Sequence, residues 1–487
     1  MRRQTEVADA LGRPRLPDLP AGHSDELRTA VADGRVGVAA AAAAEAVRRG
    51  ASDAWLAAVI ADRLGPVLAN AGAPAPALWA VCDLAALAAS AEPDQRGPAW
   101  AAALATAAEL PMATAWPAPA GRPGDLASAL GAGDGDGAAA MTVHALEASG
   151  ATAATQEILQ WACWHAGDLG VGLVTAHKVG ELSRLAGPSE LLPALARWLA
   201  DRRDASAATA AHVDRQSGWR AQLTAIAAQG DAAKARAFVE PKFRAHVTDG
   251  GVAGALRAMR RGAEAGVPQE LLCQSLVLAA AERLWRCDDA RLRQTDADER
   301  RGDLEAVFAL CASVRQLHGR VDGAAWVDAL FYATALVAGH AALDLAPEDR
   351  PALPEPAALH QTWDHGPEIA KVIGQLQARR AAGAIAVLRA YLLLGLPEQP
   401  LVALLRDAVA DDWRGDLAGQ GLAVATLRAG VDEFCALHGH PQREWVLVAA
   451  MASVCAPAPA ASTVHVARRA WQVRHLGIAA PALVAWQ

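Results

Sequence analysis

Three blocks of sequence recur in the same order in the two halves of this 487-residue chain, and that repetition narrows the available folds more than any other feature. Gly37-Val38-Ala39, Arg48-Arg49-Gly50-Ala51 and Ile60-Ala61-Asp62-Arg63-Leu64 return as Gly251-Val252-Ala253, Arg260-Arg261-Gly262-Ala263 and Ala280-Ala281-Glu282-Arg283-Leu284. Ala77-Leu78-Trp79-Ala80-Val81-Cys82, with Trp100 downstream, returns as Ala306-Val307-Phe308-Ala309-Leu310-Cys311 with Trp326. Glu181 to Pro188 returns as Glu433 to Pro441. Alanine bias alone would not hold three blocks in order, so the pattern reads as a tandem duplication, Arg35 to Ala200 against Asp249 to Val454. Stacked repeat arrays use units of about 20 to 50 residues, far shorter than this spacing. The expectation is therefore a pseudo-two-fold body with a seam between its copies.

Apolar residues recur at helical spacing in almost every segment, alanine dominates and β-branched runs are few, so the fold class is all-α, a bundle of antiparallel helix pairs. Glycine and proline punctuation divides the chain into a polar leader (1–24), a first helical half (25–204), a helical connector (205–248) and a second helical half (249–487). Pro117 to Gly137 reads as a surface loop or lid, and Pro347 to Pro356 as its counterpart. Helices are predicted over 138–149 and 153–166 in the first half, and a short one over 231–239 within the connector.

The net charge of −8 lacks the clustered basic stripe that nucleic acid would require. The leader has no apolar core of the kind a secretory signal carries, and no stretch reaches the roughly 18 uninterrupted apolar residues of a membrane span. A cytoplasmic protein with no membrane or nucleic-acid partner is expected. The seven cysteines are far apart and mostly in apolar helical contexts, which reads as buried thiols rather than a metal ribbon or disulfide framework. No serine-hydrolase elbow, zinc-peptidase helix, phosphate loop or dinucleotide fingerprint is present.

Three constellations carry possible chemistry. His177 and Glu181 are four residues apart, so one helical face presents an imidazole with a carboxylate; His165 lies upstream, and the three read as ligands for iron, manganese or zinc. The competing reading of His177 and Glu181 is a structural contact one turn apart. The second constellation runs from His360 through Trp363, His365 and Glu368 to Lys371 at a loop-to-helix junction, the densest titratable cluster in the chain. Glu368 in a first helical turn is also favourable for the helix dipole alone. The third is Asp328, with Tyr332, on a strongly apolar helix, where a carboxylate is costly unless a partner satisfies it. The fifteen tryptophans admit two readings, core filling or an aromatic cage around a ligand, with Trp161 and Trp164 beside His165 the candidates for the cage.

At Asp168-Leu169-Gly170-Val171, His177-Lys178-Val179-Gly180-Glu181-Leu182, Asp328-Ala329-Leu330-Phe331-Tyr332 and Glu368-Ile369-Ala370-Lys371 the chain resembles the questin oxidase-like family and the helical regions joined to Rieske-type proteins. The resemblance implies a helical oxygenase acting on a bulky aromatic natural product, with a non-haem iron or other divalent metal held by clustered histidines. Val171, Asp328 and Glu368 stand where that family has histidines, while Lys371 is retained. On this reading His165, His177, Glu181, Asp328 and Glu368 hold the metal, His365 and Lys371 are catalytic, and Trp161, Trp164, Trp363 and Tyr332 bind the small aromatic molecule. The lost histidines imply the alternative, a non-catalytic relative serving as a binding or scaffold subunit, alone or in an oligomer with a related helical protein.

Overall fold

A computed structural model describes residues 21–70, 74–91, 96–114, 116–187, 190–202, 237–287, 301–358, 366–377, 380–409 and 417–455. Its first nine helices are α1 (Ala21–Ala32), α2 (Val36–Arg48), α3 (Asp53–Ala69), α4 (Ala75–Ala89), α5 (Arg96–Glu109), α6 (Leu126–Ala132), α7 (Gly135–Trp164), α8 (Val171–Ala186) and α9 (Leu191–Ala200). Beyond residue 236 follow α10 (Glu240–Asp249), α11 (Gly251–Glu264), α12 (Gln269–Trp285), α13 (Arg301–Gln316) and α14 (Gly323–Gly339). The last five are α15 (Gly366–Gln377), α16 (Ala381–Leu393), α17 (Glu398–Val409), α18 (Leu417–Ala436) and α19 (Glu444–Cys455). Among the described residues there is no strand, only one isolated bridge between Cys287 and Asp344, so the fold is all-α.

Side-chain caps fix several helix starts. Ser52 accepts from the Trp55 amide ahead of α3, and Asp322 accepts from the Ala324 and Ala325 amides ahead of α14. One expectation of loop is replaced in part by helix. In the segment from Pro117 to Gly137, Asp125 caps α6, and Leu126, Ala129 and Leu130 bury one face against its neighbours α7 and α9. Three apolar residues at helical spacing are enough there because tertiary burial outweighs the glycine-rich context. The expected helix over 231–239 lies outside the described residues up to 236. Just after it the chain forms α10, with Pro241 in the first turn and Phe243 and Val247 buried one turn apart. The two helices expected over 138–149 and 153–166 run together as α7 across Gly150, whose φ of 83° and ψ of 171° kink the axis.

The same neighbours recur in the two halves. In the first, α1 packs on α2, α3 and α5, α2 on α5, α4 on α5 and α8, and α9 on α3 and α8. In the second, α10 packs on α11, α12 and α14, α11 on α14, α13 on α14 and α18, and α19 on α12 and α18. One detail repeats at the level of a side chain. Arg63 on α3 is buried and donates to carbonyls at the end of α1 (Ala32) and beyond α5 (Leu110 and Pro111). Arg283 on α12 is buried likewise, donates to the Thr248 carbonyl in α10 and pairs with Asp344 beyond α14 at 3.0 Å. The recurrence is one of packing; descent from a duplication stays the inference drawn from the sequence blocks.

The halves meet where α14 packs on α7 and at a seam where α4 lies on α18 and α8 on α13. Alanine makes the approach close, and at Gly421 a Cβ would overlap the Pro76 carbonyl, so α18 crosses the start of α4 almost backbone to backbone. The tryptophans expected as core are core: Trp79, Trp100 and Trp326 are buried, as is Phe308 opposite Trp79. Of the cysteines, all but Cys435 are buried. The one described stretch long and apolar enough to cross a membrane, Gly323–Leu343, is 78% buried within the protein.

Candidate functional site

The four helices of the seam bring together the largest set of buried charges near a sequence-predicted residue. Asp83 enters from α4, His177, Lys178 and Glu181 from α8, Ser313 from α13, and Arg428 and Asp432 from α18. Helical spacing explains the α8 contribution: 177 and 181 are one turn apart and 178 flanks them, so all three reach the same crossing. Asp83 is fully buried in an otherwise apolar helix. An ionised carboxylate survives there only if paired. Lys178 Nζ donates to its two oxygens at 2.7 and 2.5 Å, and Arg428 Nη1 donates to Oδ1 at 2.6 Å.

Arg428 also reaches Glu181 Oε2 at 2.8 Å through Nη2 and lies 3.4 Å from Asp432 through Nε. One guanidinium thus ties three carboxylates from three helices, the planar fork that arginine supplies and lysine does not. One turn from Asp83, Trp79 Nε1 donates to Thr175 Oγ1 at 2.8 Å and joins α4 to α8 again. Burial would raise the Glu181 carboxyl, but Arg428 above all, then His177 and Lys178, outweigh it and hold it at about 2. Burial pushes Asp432 up, against the pull of Arg428. Arg428 loses basicity to burial and regains more from Asp83 and Glu181, so it stays charged.

His177 is the exception within the cluster. Burial, helped by the positive Lys178 and Arg428 and opposed by Glu181, lowers it to about 4, so the imidazole is neutral near pH 7. Its Nδ1 lies 3.2 Å from Ser313 Oγ. Its Nε2 is 3.8 Å from Glu181 Oε1 and has no hydrogen-bond partner. The void beside it, lined by Ala309, Ala312 and Ala429 as well as the charged groups, measures about 10 Å³. That is about the space of one water.

The other sequence-predicted residues are distributed elsewhere. His165 is exposed at the end of α7, stacked on Trp161 at 4.0 Å with Nδ1 2.8 Å from the Trp161 carbonyl. Trp161 is buried and Trp164 is 37% exposed. Asp328 is half-buried on α14, close enough to Cys163 of α7 that its charge adds to burial in raising that thiol, and Tyr332 is buried one turn further on. Glu368 is buried and paired with Lys371 on α15 at 2.8 and 3.0 Å, on a helix that packs against α16, α17 and α19. Trp363 and His365 lie outside the described residues. Among the described residues no three histidine, cysteine, aspartate or glutamate side chains converge as a metal ion would require, and His177 with Glu181 make two.

Sequence reasoning missed Asp83, Arg428, Asp432 and Ser313. A signal was available for Asp83, a lone carboxylate within Ala75–Ala89, the same kind of cost that drew attention to Asp328. Arg428 sits 345 residues from Asp83, and only the fold connects them. Comparison of the chain with family models, with curated proteins and with solved structures found no match.

Proposed function

We propose that the chain is a helical binding or scaffold protein in which the seam acts as an ionic lock between the halves rather than as a catalytic centre. The observation that supports this most is that the seam charges answer one another: Asp83 takes both Lys178 and Arg428, and Arg428 takes Glu181 as well. A general acid or base has to come within hydrogen-bond reach of a substrate. Pockets for drug-sized molecules measure roughly 300 to 1,000 Å³, against about 10 Å³ here.

A second reading, the oxygenase acting on an aromatic natural product, is favoured by the unpartnered Nε2 of His177. A buried nitrogen left without a partner is rare and costly, and function is one reason to keep it. In that reading the seam opens and the neutral imidazole takes a proton from a phenolic group. The donor set of the described residues does not fit a metal, so no step is routed through one.

Aerobic incubation with hydroxylated aromatic polyketides, read by oxygen uptake and product mass, separates the two readings. No turnover, together with a large loss of stability in Asp83→Ala, is expected. Turnover abolished by His177→Ala at unchanged thermal stability would overturn the lock in favour of the enzyme. So would a stoichiometric transition metal in untagged protein that is lost on the same substitution.

A further inference from the structure

A second cavity, sharing no lining residue with the seam void, lies between α10 and α11. It measures about 590 Å³, and its wall is apolar for most of its extent, formed by Phe238, Phe243 and Val267 among others. Phe238 and Phe243 meet at a tilt of 54° with centroids 5.4 Å apart and line one side. Arg257 and Arg261 line the other side, four residues apart on one face of α11 and both exposed. Neither forms an ion pair with a described carboxylate, whereas their neighbour Arg260 is taken by Glu264 at 2.7 Å. In a chain of net charge −8, two guanidinia at an apolar cavity without a carboxylate among the described residues stand apart.

The geometry points to a binding site for a small amphiphilic carboxylate, its apolar body against Phe238 and Phe243 and its carboxylate on Arg257 and Arg261. The volume falls within the range of pockets for drug-sized ligands. Adjacent guanidinia suit a carboxylate better than a lysine pair would, since each offers a planar donor fork. The inference is independent of whether the seam is a lock or an active site, because no seam residue lines this cavity.

The test uses the full chain with dodecanoate and 2-naphthoate as probes, and dodecanol and acetate as controls, followed by calorimetry. Gly254 lines the cavity, and a Cβ there meets nothing within 4 Å, so Gly254→Trp fills the space from a helix that tolerates the change. Saturable one-to-one binding of either carboxylate is expected, weakened about tenfold or more in Arg257→Gln/Arg261→Gln and lost in Gly254→Trp. Acetate should not bind and dodecanol should bind at least about tenfold more weakly than dodecanoate. Failure of both carboxylates to bind, binding unchanged by both variants, or dodecanol binding as tightly as dodecanoate would each overturn the proposal. A concentration-dependent dimer that Gly254→Trp dissociates, without ligand binding, would assign the cavity to a second copy instead. Thermal melts of both variants confirm that a loss of binding is not a loss of fold.

Discussion

The arginine anchors at the outer helices and the ion cluster at the seam use the same chemistry to different plans. Arg63 and Arg283 occupy matching places and do matching work, each tying the end of one helix to the segment after another. At the seam only one charge matches: Glu181 has its counterpart in Glu433, which pairs with Arg315 instead. Aligning the blocks that define the repeat sets Asp83 against Ala312, Lys178 against Gly430 and Arg428 against Ala176. Gly430 has no room for more, since a Cβ there would press on Ala450 and the Val446 carbonyl. Packing schemes tolerate symmetry, but a charge cluster on a two-fold axis would place like charges opposite one another. Asp83, Lys178 and Arg428 therefore each stand opposite alanine or glycine in the other copy.

The comparison breaks first at Asp83. Asp83→Ala leaves Lys178 and Arg428 buried without their shared partner, and a loss of about 3 to 5 kcal/mol is expected in denaturant midpoints. The triple variant Asp83→Leu/Lys178→Met/Arg428→Met should recover most of it, because replacing a buried ionic set by apolar groups of similar size is often neutral. A single variant that loses less than 1 kcal/mol would remove the lock.

Acid probes the same place through His177. Its pKa of about 4 in the folded chain lies below the ordinary 6.5, so the stability it contributes is present above pH 6.5 and is lost as the pH falls toward 4. The shift corresponds to roughly 3 kcal/mol. Glu181, held at about 2 against an ordinary 4.5, keeps its contribution above pH 4.5 and loses it below. Urea midpoints between pH 7 and pH 4 should fall in the wild type and flatten in His177→Leu; an equal slope in both would place the acid sensitivity elsewhere.

The smallest effects test the symmetric side. Arg63→Met strands backbone carbonyls and Arg283→Met strands Asp344 and the Thr248 carbonyl, each costing about 2 kcal/mol. Equal losses, within about 1 kcal/mol, would sharpen the view that the outer anchors are equivalent. A gap wider than that would show that the second half relies on its anchor more.

Much of this plan was legible in the chain. Helix periodicity is local, so α2 to α5 and α11 to α14 follow from spacing and punctuation, and the repeated blocks pointed to a seam. The pair His177 and Glu181 was visible one turn apart, but its meaning was not, because Arg428 comes from α18. The short helix α6 escaped notice for a related reason: with Leu126, Ala129 and Leu130 facing inward, its apolar signal is too brief to outweigh glycine and proline. As ligands, Asp328 and Glu368 rested on resemblance and His165 on its place upstream of His177 and Glu181; the fold ties His165 to Trp161, Asp328 to the neighbourhood of Cys163 and Glu368 to Lys371.

The crossing of α4 and α18 also has a consequence in time. Lys178 follows Asp83 by 95 residues, but Arg428 follows it by 345. At a synthesis rate of about 5 to 20 residues per second, a nascent chain holds Asp83 for roughly 20 to 70 s before Arg428 is made. During that wait the face of α4 that will meet α18 has no partner from its own chain, while the face of α8 waits only until α13 is made. The first half therefore emerges with a sticky, half-neutralised flank, and a cell that makes this protein well must cover that flank until the second half arrives.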